Sequence, residues 1–243
     1  MIQIRNLNFT YPDGNHALTN VNINVAEGST VAVVGGNGAG KSTLLSLLVG
    51  IHPIKEGEIV IAGIPVRRER LEDVRKKVGF VFQDPDHQLF MSRVYDDVAF
   101  GPRNFGYPED EVKKMTEKAI STMKIDHLIS RAPQKLSGGE KRNVAIAAVL
   151  AMNPDVLLFD EPSSYLDPKS RRNFINAMKE LNHTKLIATH DLDLVLDLCD
   201  RVIILSRGQV FADGEPMELF RNQELMDRSD LEVPLSLQNR DIF

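Results

Sequence analysis

Five short runs limit what this chain can become: Thr30–Val34, Val78–Phe82, Val156–Phe159, Lys185–Thr189 and Val202–Leu205. Each is apolar almost throughout, and strands apolar on both faces suit a parallel sheet covered by helices. Other segments alternate instead. Ile2 and Ile4 then Leu7 and Phe9, Val21 with Ile23 and Val25, and Glu58–Ile61 read as half-buried antiparallel strands. Between the strands lie helical patterns. Phe174, Ala177, Met178 and Leu181 mark one buried face after Asp167-Pro168, and Pro108 followed by Glu109, Asp110 and Glu111 opens a polar helix towards Lys124, with acids at its positive end. Residues 84–152 carry few strand signals and read as mostly helical. The expected fold is α/β: a mainly parallel sheet, an antiparallel β subdomain and a helical subdomain.

A length of 243 residues allows one large α/β domain or at most two small ones. Hydrophobic residues at 42% and charged residues at 26% argue against disorder. A net charge of −5 leaves no global basic field, so no nucleic-acid partner is expected. The single cysteine, Cys199, rules out an intrachain disulfide, and its neighbours Leu194, Val195, Leu196 and Leu198 make it read as a packed, inert thiol. Met1–Arg5 lacks the features of a signal peptide. The longest uncharged apolar run, Val144–Met152, falls well short of the roughly 18 residues of a spanning helix, so any membrane role is expected through a partner.

Gly35-Gly36-Asn37-Gly38-Ala39-Gly40-Lys41-Ser42-Thr43 fits the Walker A pattern, with four residues between Gly35 and Gly40. A buried strand precedes it, and an apolar helix (Leu44, Leu45, Leu47, Leu48, Val49) follows. Glycines let successive backbone N–H groups curl round a polyphosphate, and the helix start adds partial positive charge. Lys41 can reach the β- and γ-phosphates and Ser42 can ligate Mg²⁺. A glycine-rich turn without a ligand leaves Lys-Ser-Thr at the helix start unexplained.

Val156–Phe159 ends in Asp160-Glu161. Beside a phosphate loop, the first acid can hold Mg²⁺ through water and the second can orient or activate the attacking water. Leu136-Ser137-Gly138-Gly139-Glu140 opens another apolar helix, and Ser137 with Glu140 fits a capping box. The glycines after the cap, with Lys141-Arg142 following, suggest a second anion-binding helix start. One triphosphate cannot easily use both starts if they lie far apart on one subunit. A dimer that brings one chain's Ser137 turn to the other chain's γ-phosphate resolves this.

Together these residues resemble the nucleotide-binding subunits of ABC transporters, over residues 1–220, with 221–243 as a tail. In that tail, Leu231, Val233, Pro234, Leu235 and Leu237 suggest packing on their own domain or self-association. The resemblance implies a P-loop NTPase core, a Mg²⁺-dependent ATPase, and a homo- or heterodimer around two ATP. It implies that Tyr11 stacks on adenine, that Gln83 touches Mg²⁺ and the water, and that His190 contacts the γ-phosphate. Lys41, Ser42 and Thr43 fall on phosphates and metal, Ser137, Gly138, Gly139 and Glu140 on the signature turn, and Ser164-Tyr165-Leu166-Asp167 on a loop crossing the dimer interface. Ser42, Gln83 and Asp160 are the implied metal contacts.

Gln83-Asp84-Pro85-Asp86-His87-Gln88-Leu89-Phe90 and Asp97-Val98-Ala99-Phe100-Gly101-Pro102 are similar, more narrowly, to the ATPases of energy-coupling-factor importers of vitamins and cobalt or nickel ions. That implies a transmembrane subunit docking near Gln83–Phe90, a separate substrate-binding membrane subunit, and a place on the cytoplasmic face of the membrane. Asn143 stands where the group usually has arginine, which affects a local surface contact. His87 reads as a surface or groove residue, since no second ligand lies at metal-site spacing. A soluble ABC-type ATPase and a binding-only partner are the alternatives. The former usually carries two such domains or a coiled-coil insertion, and the latter would have lost Glu161 or His190.

Overall fold

A computed structural model describes residues 1–164 and 166–238. Tyr165 of the expected interface loop, and the end of the tail from residue 239, lie outside the described residues. In chain order the elements are β1 (Ile2–Thr10), β2 (His16–Val25), β3 (Thr30–Val34), α1 (Lys41–Leu48), β4 (Glu56–Ile61), β5 (Ile64–Pro65), α2 (Leu71–Lys77) and β6 (Val78–Val81). Then follow α3 (Val94–Asn104), α4 (Glu109–Thr122), α5 (Gly138–Leu150), β7 (Val156–Asp160), α6 (Pro168–Glu180), β8 (Thr184–Ala188), α7 (Leu192–Leu198), β9 (Arg201–Ser206), β10 (Gln209–Gly214), α8 (Pro216–Phe220) and α9 (Gln223–Arg228). The described chain divides into two compact units, one of Met1–Val74 with Asn182 onward, the other of Arg75–Leu181.

In the first unit β3 lies between β8 and β9, parallel to both, with Val33 opposite Ala188 on one side and Ile203 on the other. All five β3 residues are buried. That is the physical reason its sequence is apolar rather than alternating. β10 adds an antiparallel edge strand to β9. No apolar run announces β10, because its residues alternate between exposed and half-buried. A second sheet, ordered β2-β1-β4-β5, is antiparallel throughout, with Ile4 opposite Ile23 and Ile59.

From Glu215 onward, the expected tail from residue 221 included, the chain forms two short capped helices and a packed segment. Glu215 caps α8 by accepting from Met217 and Glu218 N–H, with Pro216 at the first helical position, and Asn222 caps α9 by accepting from Leu225 N–H. Phe220 and Met226 bury completely against Ala32, Val34, Val202 and Ile204, and Leu231, Val233 and Leu237 pack on the same cluster. Leu235 stays 59% exposed. Cys199 packs against this cluster too, and burial pushes its thiol up to about 12, so it is not a nucleophile at neutral pH.

The second unit pairs β6 with β7 in parallel, Val78 opposite Val156 and Val81 opposite Phe159. Helices α3, α4 and α5 pack on one another within it. α5 carries apolar residues on most of its circumference, with Val144, Ala145, Ile146, Ala147 and Val149 buried, and reads as a helix enclosed by its neighbours.

Phe220→Ala removes a fully buried ring that ties α8 to β3 and β9. It is expected to cost ~3–5 kcal/mol, seen as a lower urea midpoint at unchanged slope. An unchanged midpoint would mean that α8 does not contribute to this core.

Candidate active site

The phosphate loop leaves the buried strand β3 through Gly35, whose φ is +156°. A Cβ there would lie 2.2 Å from the Leu205 carbonyl oxygen of β9. No side chain fits, so glycine is required by the close approach of a neighbouring backbone. The loop is also held from the β9–β10 turn, where Gly208 N–H donates to the Ala39 carbonyl at 3.2 Å. The Lys41 ammonium folds back over the loop and donates to the carbonyls of Gly35 (2.7 Å) and Gly36 (3.2 Å). These are bonds a bound phosphate can replace. Ser42 is exposed at the start of α1, and Asn37 and Gly38 are exposed at the loop tip.

Tyr11 lies in the turn between β1 and β2. Its N–H donates to the Asn15 carbonyl, and its hydroxyl shares a 2.9 Å hydrogen bond with Thr43 Oγ1. Its ring stands edge-on to Phe9 (4.9 Å) and His52 (5.4 Å). His190 is exposed just past β8, followed by Asp191, which caps α7 through Leu194 N–H.

In the second unit, β7 is apolar and buried up to Asp160, which is half-buried. Glu161 is 9% exposed and holds φ at +46°. A non-glycine residue in that region is strained by on the order of 1 kcal/mol, and such strain gathers at functional sites. Gln83 is exposed just beyond β6. Its carbonyl and that of Phe82 each accept from the Arg142 guanidinium at 2.6 Å.

The Ser137 turn forms the expected capping box. Glu140 Oε2 accepts from both the N–H and the hydroxyl of Ser137, each at 2.8 Å. These bonds hold the Glu140 carboxyl below its usual range. Ser137 and Gly138 are exposed, so the start of α5 is open. Gly139 has a different task from Gly138. A Cβ on it would meet Ser170 Oγ of α6 at 2.5 Å, so glycine is needed there for helix approach. Asp167 caps α6, accepting from Lys169 N–H, Ser170 N–H and Ser170 hydroxyl, and the Ser170 hydroxyl is the chief reason its carboxyl is held low.

The basic pair after the turn requires a correction. Arg142 is 1% exposed beneath the Gln83 backbone, and Lys141 pairs with Asp86 at 2.6 Å. Neither serves the anion site suggested by their position in sequence. Burial lowers Arg142 to about 10, so it stays cationic at neutral pH. Gln88 adds to the same joint: it donates to the Ala145 carbonyl at 2.8 Å and accepts from Phe82 N–H at 3.3 Å. Asp97, 4% exposed, accepts from the N–H groups of Phe90 and Met91. Sequence reasoning missed these as positioning groups. The sequence held little signal for them, since Arg142 sits between Lys141 and Asn143 and Asp97 directly follows Asp96.

Among the described residues no group of three or more His, Cys, Asp or Glu side chains forms a metal cluster. The implied contacts Ser42, Gln83 and Asp160 offer a hydroxyl, an amide and a carboxylate. That all-oxygen set suits Mg²⁺, which keeps waters and phosphate oxygens as further ligands.

A glycine-rich loop joining β3 to α1, in a mixed α/β fold with acids ending β7, defines a phosphate-loop nucleoside triphosphatase. The family model described as ABC transporter matches residues 18–164, so the chain belongs to that family and is one of its ATP-binding, ATP-hydrolysing subunits. A putative ABC transporter ATP-binding protein of Geobacter sulfurreducens is 49% identical over 238 residues, covering 98% of this chain and 96% of the relative. The energy-coupling factor transporter ATP-binding protein EcfA of Methanothermobacter thermautotrophicus is 44% identical over 239 residues, covering 96% and 77%. The structure of CbiO1 from Clostridium perfringens, described as part of the transporter complex CbiONQ, superposes with a TM-score of 0.83 at 41% identity, covering 93% of each chain. A bacterial ABC transporter cassette solved as a dimer superposes at 0.79 with 31% identity, covering 89% and 99%.

Arg142→Leu leaves the Phe82 and Gln83 carbonyls without their buried donor. It is expected to cost ~2–4 kcal/mol, read by urea denaturation, with ATP turnover reduced as well. Wild-type stability and turnover together would show that Arg142 does not fix Gln83.

Proposed function

We propose that this subunit pairs with a second copy or a close relative around two ATP, hydrolyses them, and powers uptake of a small solute through a separate membrane subunit. The observation that carries this is the pair of open helix starts, α1 behind the glycine-rich loop and α5 behind the Ser137 cap. Each carries the partial positive charge of a helix N-terminus behind exposed residues, Asn37 and Gly38 at the glycine-rich loop and Ser137 and Gly138 at the cap. One ATP is gripped by the phosphate loop of one chain and the Ser137-Gly138-Gly139-Glu140 turn of the other. The dimeric cassette among the similar structures supports this arrangement.

In this assembly Tyr11 carries the adenine, and Lys41 exchanges its loop carbonyls for β- and γ-phosphate oxygens. Gly35, Asn37, Gly38, Ala39 and Gly40 supply backbone around the phosphates, and Thr43 contributes a hydroxyl nearby. Ser42, Gln83 and Asp160 would hold Mg²⁺, directly or through water, and it would neutralise charge on the β- and γ-phosphate oxygens as ADP leaves. Glu161 orients the attacking water and accepts its proton, and His190 contacts the γ-phosphate. Asp167 fixes the start of α6 beside the Ser137 turn through Ser170, and so shapes the surface offered to the partner chain.

The relatives named as energy-coupling factor transporter ATP-binding proteins support the narrower resemblance, which implies an importer with a vitamin or transition-metal ion as solute. No helix is long and apolar enough to cross a membrane among the described residues. A separate integral membrane subunit therefore docks on this one, at the cytoplasmic face, near Gln83–Phe90. Exposed rings lie in and on either side of that segment: Phe82 at 38%, Phe90 at 59% and, from α3, Phe100 at 40%, with Phe90 and Phe100 in edge contact at 4.9 Å.

Glu161→Gln is expected to retain ATP binding, lose nearly all turnover, and elute as an ATP-dependent dimer in size-exclusion chromatography. A monomer throughout, with unchanged hydrolysis, would sink the catalytic assignment. Phe90→Asp should leave hydrolysis by the isolated subunit intact and uncouple it from transport in the reconstituted complex. Full coupled transport in that variant would place the docking surface elsewhere.

A further inference from the structure

We propose that His52 is a positioning residue for the nucleotide base, acting through Tyr11, and that helix α1 holds Tyr11 from both of its ends. The proposal rests on the reading that Tyr11 carries the adenine, and goes beyond it in saying what aims that ring.

The geometry lies within the first unit. Thr43, in the first turn of α1, shares its hydroxyl with the Tyr11 hydroxyl at 2.9 Å. At the other end, α1 stops at Gly50, whose φ is +66°, and the chain turns back with Ile51 N–H donating to the Ser46 carbonyl. That turn delivers His52 to the Tyr11 ring at 5.4 Å and 84°, edge to face. His52 also lies 5.3 Å from Phe9 at a tilt of 33°, and Phe9 meets Tyr11 at 4.9 Å and 83°. Each ring thus touches the other two. Phe9 is anchored in β1 and almost fully buried, whereas His52 is half-buried and also lines a cleft of about 480 Å³ with Ile54, Ile59, Val66 and Leu71.

A stacking platform binds a base only as well as it is pre-aimed, because ordering a free ring on binding costs entropy. Tyr11 is fixed at its tip by Thr43 and at its flank by His52. The same eight-residue helix that offers its first turn to the phosphates therefore also sets the base platform. Base and phosphate recognition are built on one rigid element. Truncating His52 opens onto an existing cleft rather than a sealed cavity, so the fold tolerates the change while the ring loses its brace.

The test compares Mg²⁺-ATP with Mg²⁺-tripolyphosphate, which has phosphates and no base, by calorimetric titration of the purified protein. His52→Ala and His52→Leu are expected to weaken ATP binding roughly three- to tenfold, in line with the worth of one aromatic pair, and to leave tripolyphosphate binding unchanged. His52→Phe restores the ring and should restore ATP binding. Wild-type ATP affinity in His52→Leu, or equal losses for ATP and tripolyphosphate, overturns the proposal. Tyr11→Ala separates the two layers: if it too leaves ATP affinity unchanged, the base platform itself is misassigned. If it weakens ATP selectively while His52→Leu does not, only the positioning role of His52 fails.

Discussion

The whole arrangement depends on one close approach of backbone to backbone. The phosphate loop has hardly any side chains with which to hold itself, so its shape is set by the strand beside it. Gly35 passes close enough to the Leu205 carbonyl to exclude any Cβ, and Gly208 reaches back to the Ala39 carbonyl. β3 can deliver the loop there only because it is fixed in register between β8 and β9 and buried at every position. A buried strand is a rigid mount, and the flexible glycine turn gains precision from it rather than from its own sequence. α8 and α9 contribute from the opposite direction, since Phe220 and Met226 pack on the same β3 and β9 residues that set this geometry.

The second unit solves a related problem with side chains. The segment from Phe82 to Met91 is irregular and partly exposed, yet three groups fasten it to helices. Arg142 holds the Phe82 and Gln83 carbonyls, Gln88 bridges to the Ala145 carbonyl, and Asp97 takes the Phe90 and Met91 N–H groups. Three of these bonds reach α5, the helix whose first turn follows the Ser137 cap. The exposed Phe90–Phe100 pair is therefore tied to α5 through short, part-buried hydrogen bonds rather than through a slack loop. On the docking proposed above, the partner's contact surface and the helix that carries the Ser137 turn are joined by this same set of bonds, with the Gln83 backbone between them.

Much of this was legible in the sequence because it depends on pattern. Two-sided burial leaves continuous apolar runs, and β3, β7 and β9 are present where such runs stand. The phosphate loop and the Ser137-Glu140 capping box are local devices whose spacing is their geometry. Less visible were elements whose stability comes from elsewhere. β10 alternates without a fully buried residue, and α8 and α9 are too short to show a period, so their caps at Glu215 and Asn222 are the only local sign. His52 carries no motif at all, and the segment that Asp97 opens gives no sign of which backbone groups its side chain holds. Their partners, Tyr11 for one and the Phe90 backbone for the other, are fixed by turns that no periodicity describes.

Arg142 shows why charge next to a motif is a poor guide to what the charge touches. Lys141 and Arg142 are adjacent, and both follow an anion-ready helix start. On a helix, however, consecutive residues point about 100° apart, so they cannot share a target. Lys141 turns outward to Asp86, and Arg142 turns inward beneath Gln83. Burying a guanidinium is costly, and the cost is offset here by two backbone carbonyls that have no helix or strand to satisfy them. The arginine is thus tied to the irregular conformation of the Gln83 segment: without that loop its charge would lose both backbone acceptors, and without the charge the Phe82 and Gln83 carbonyls would lose their donor.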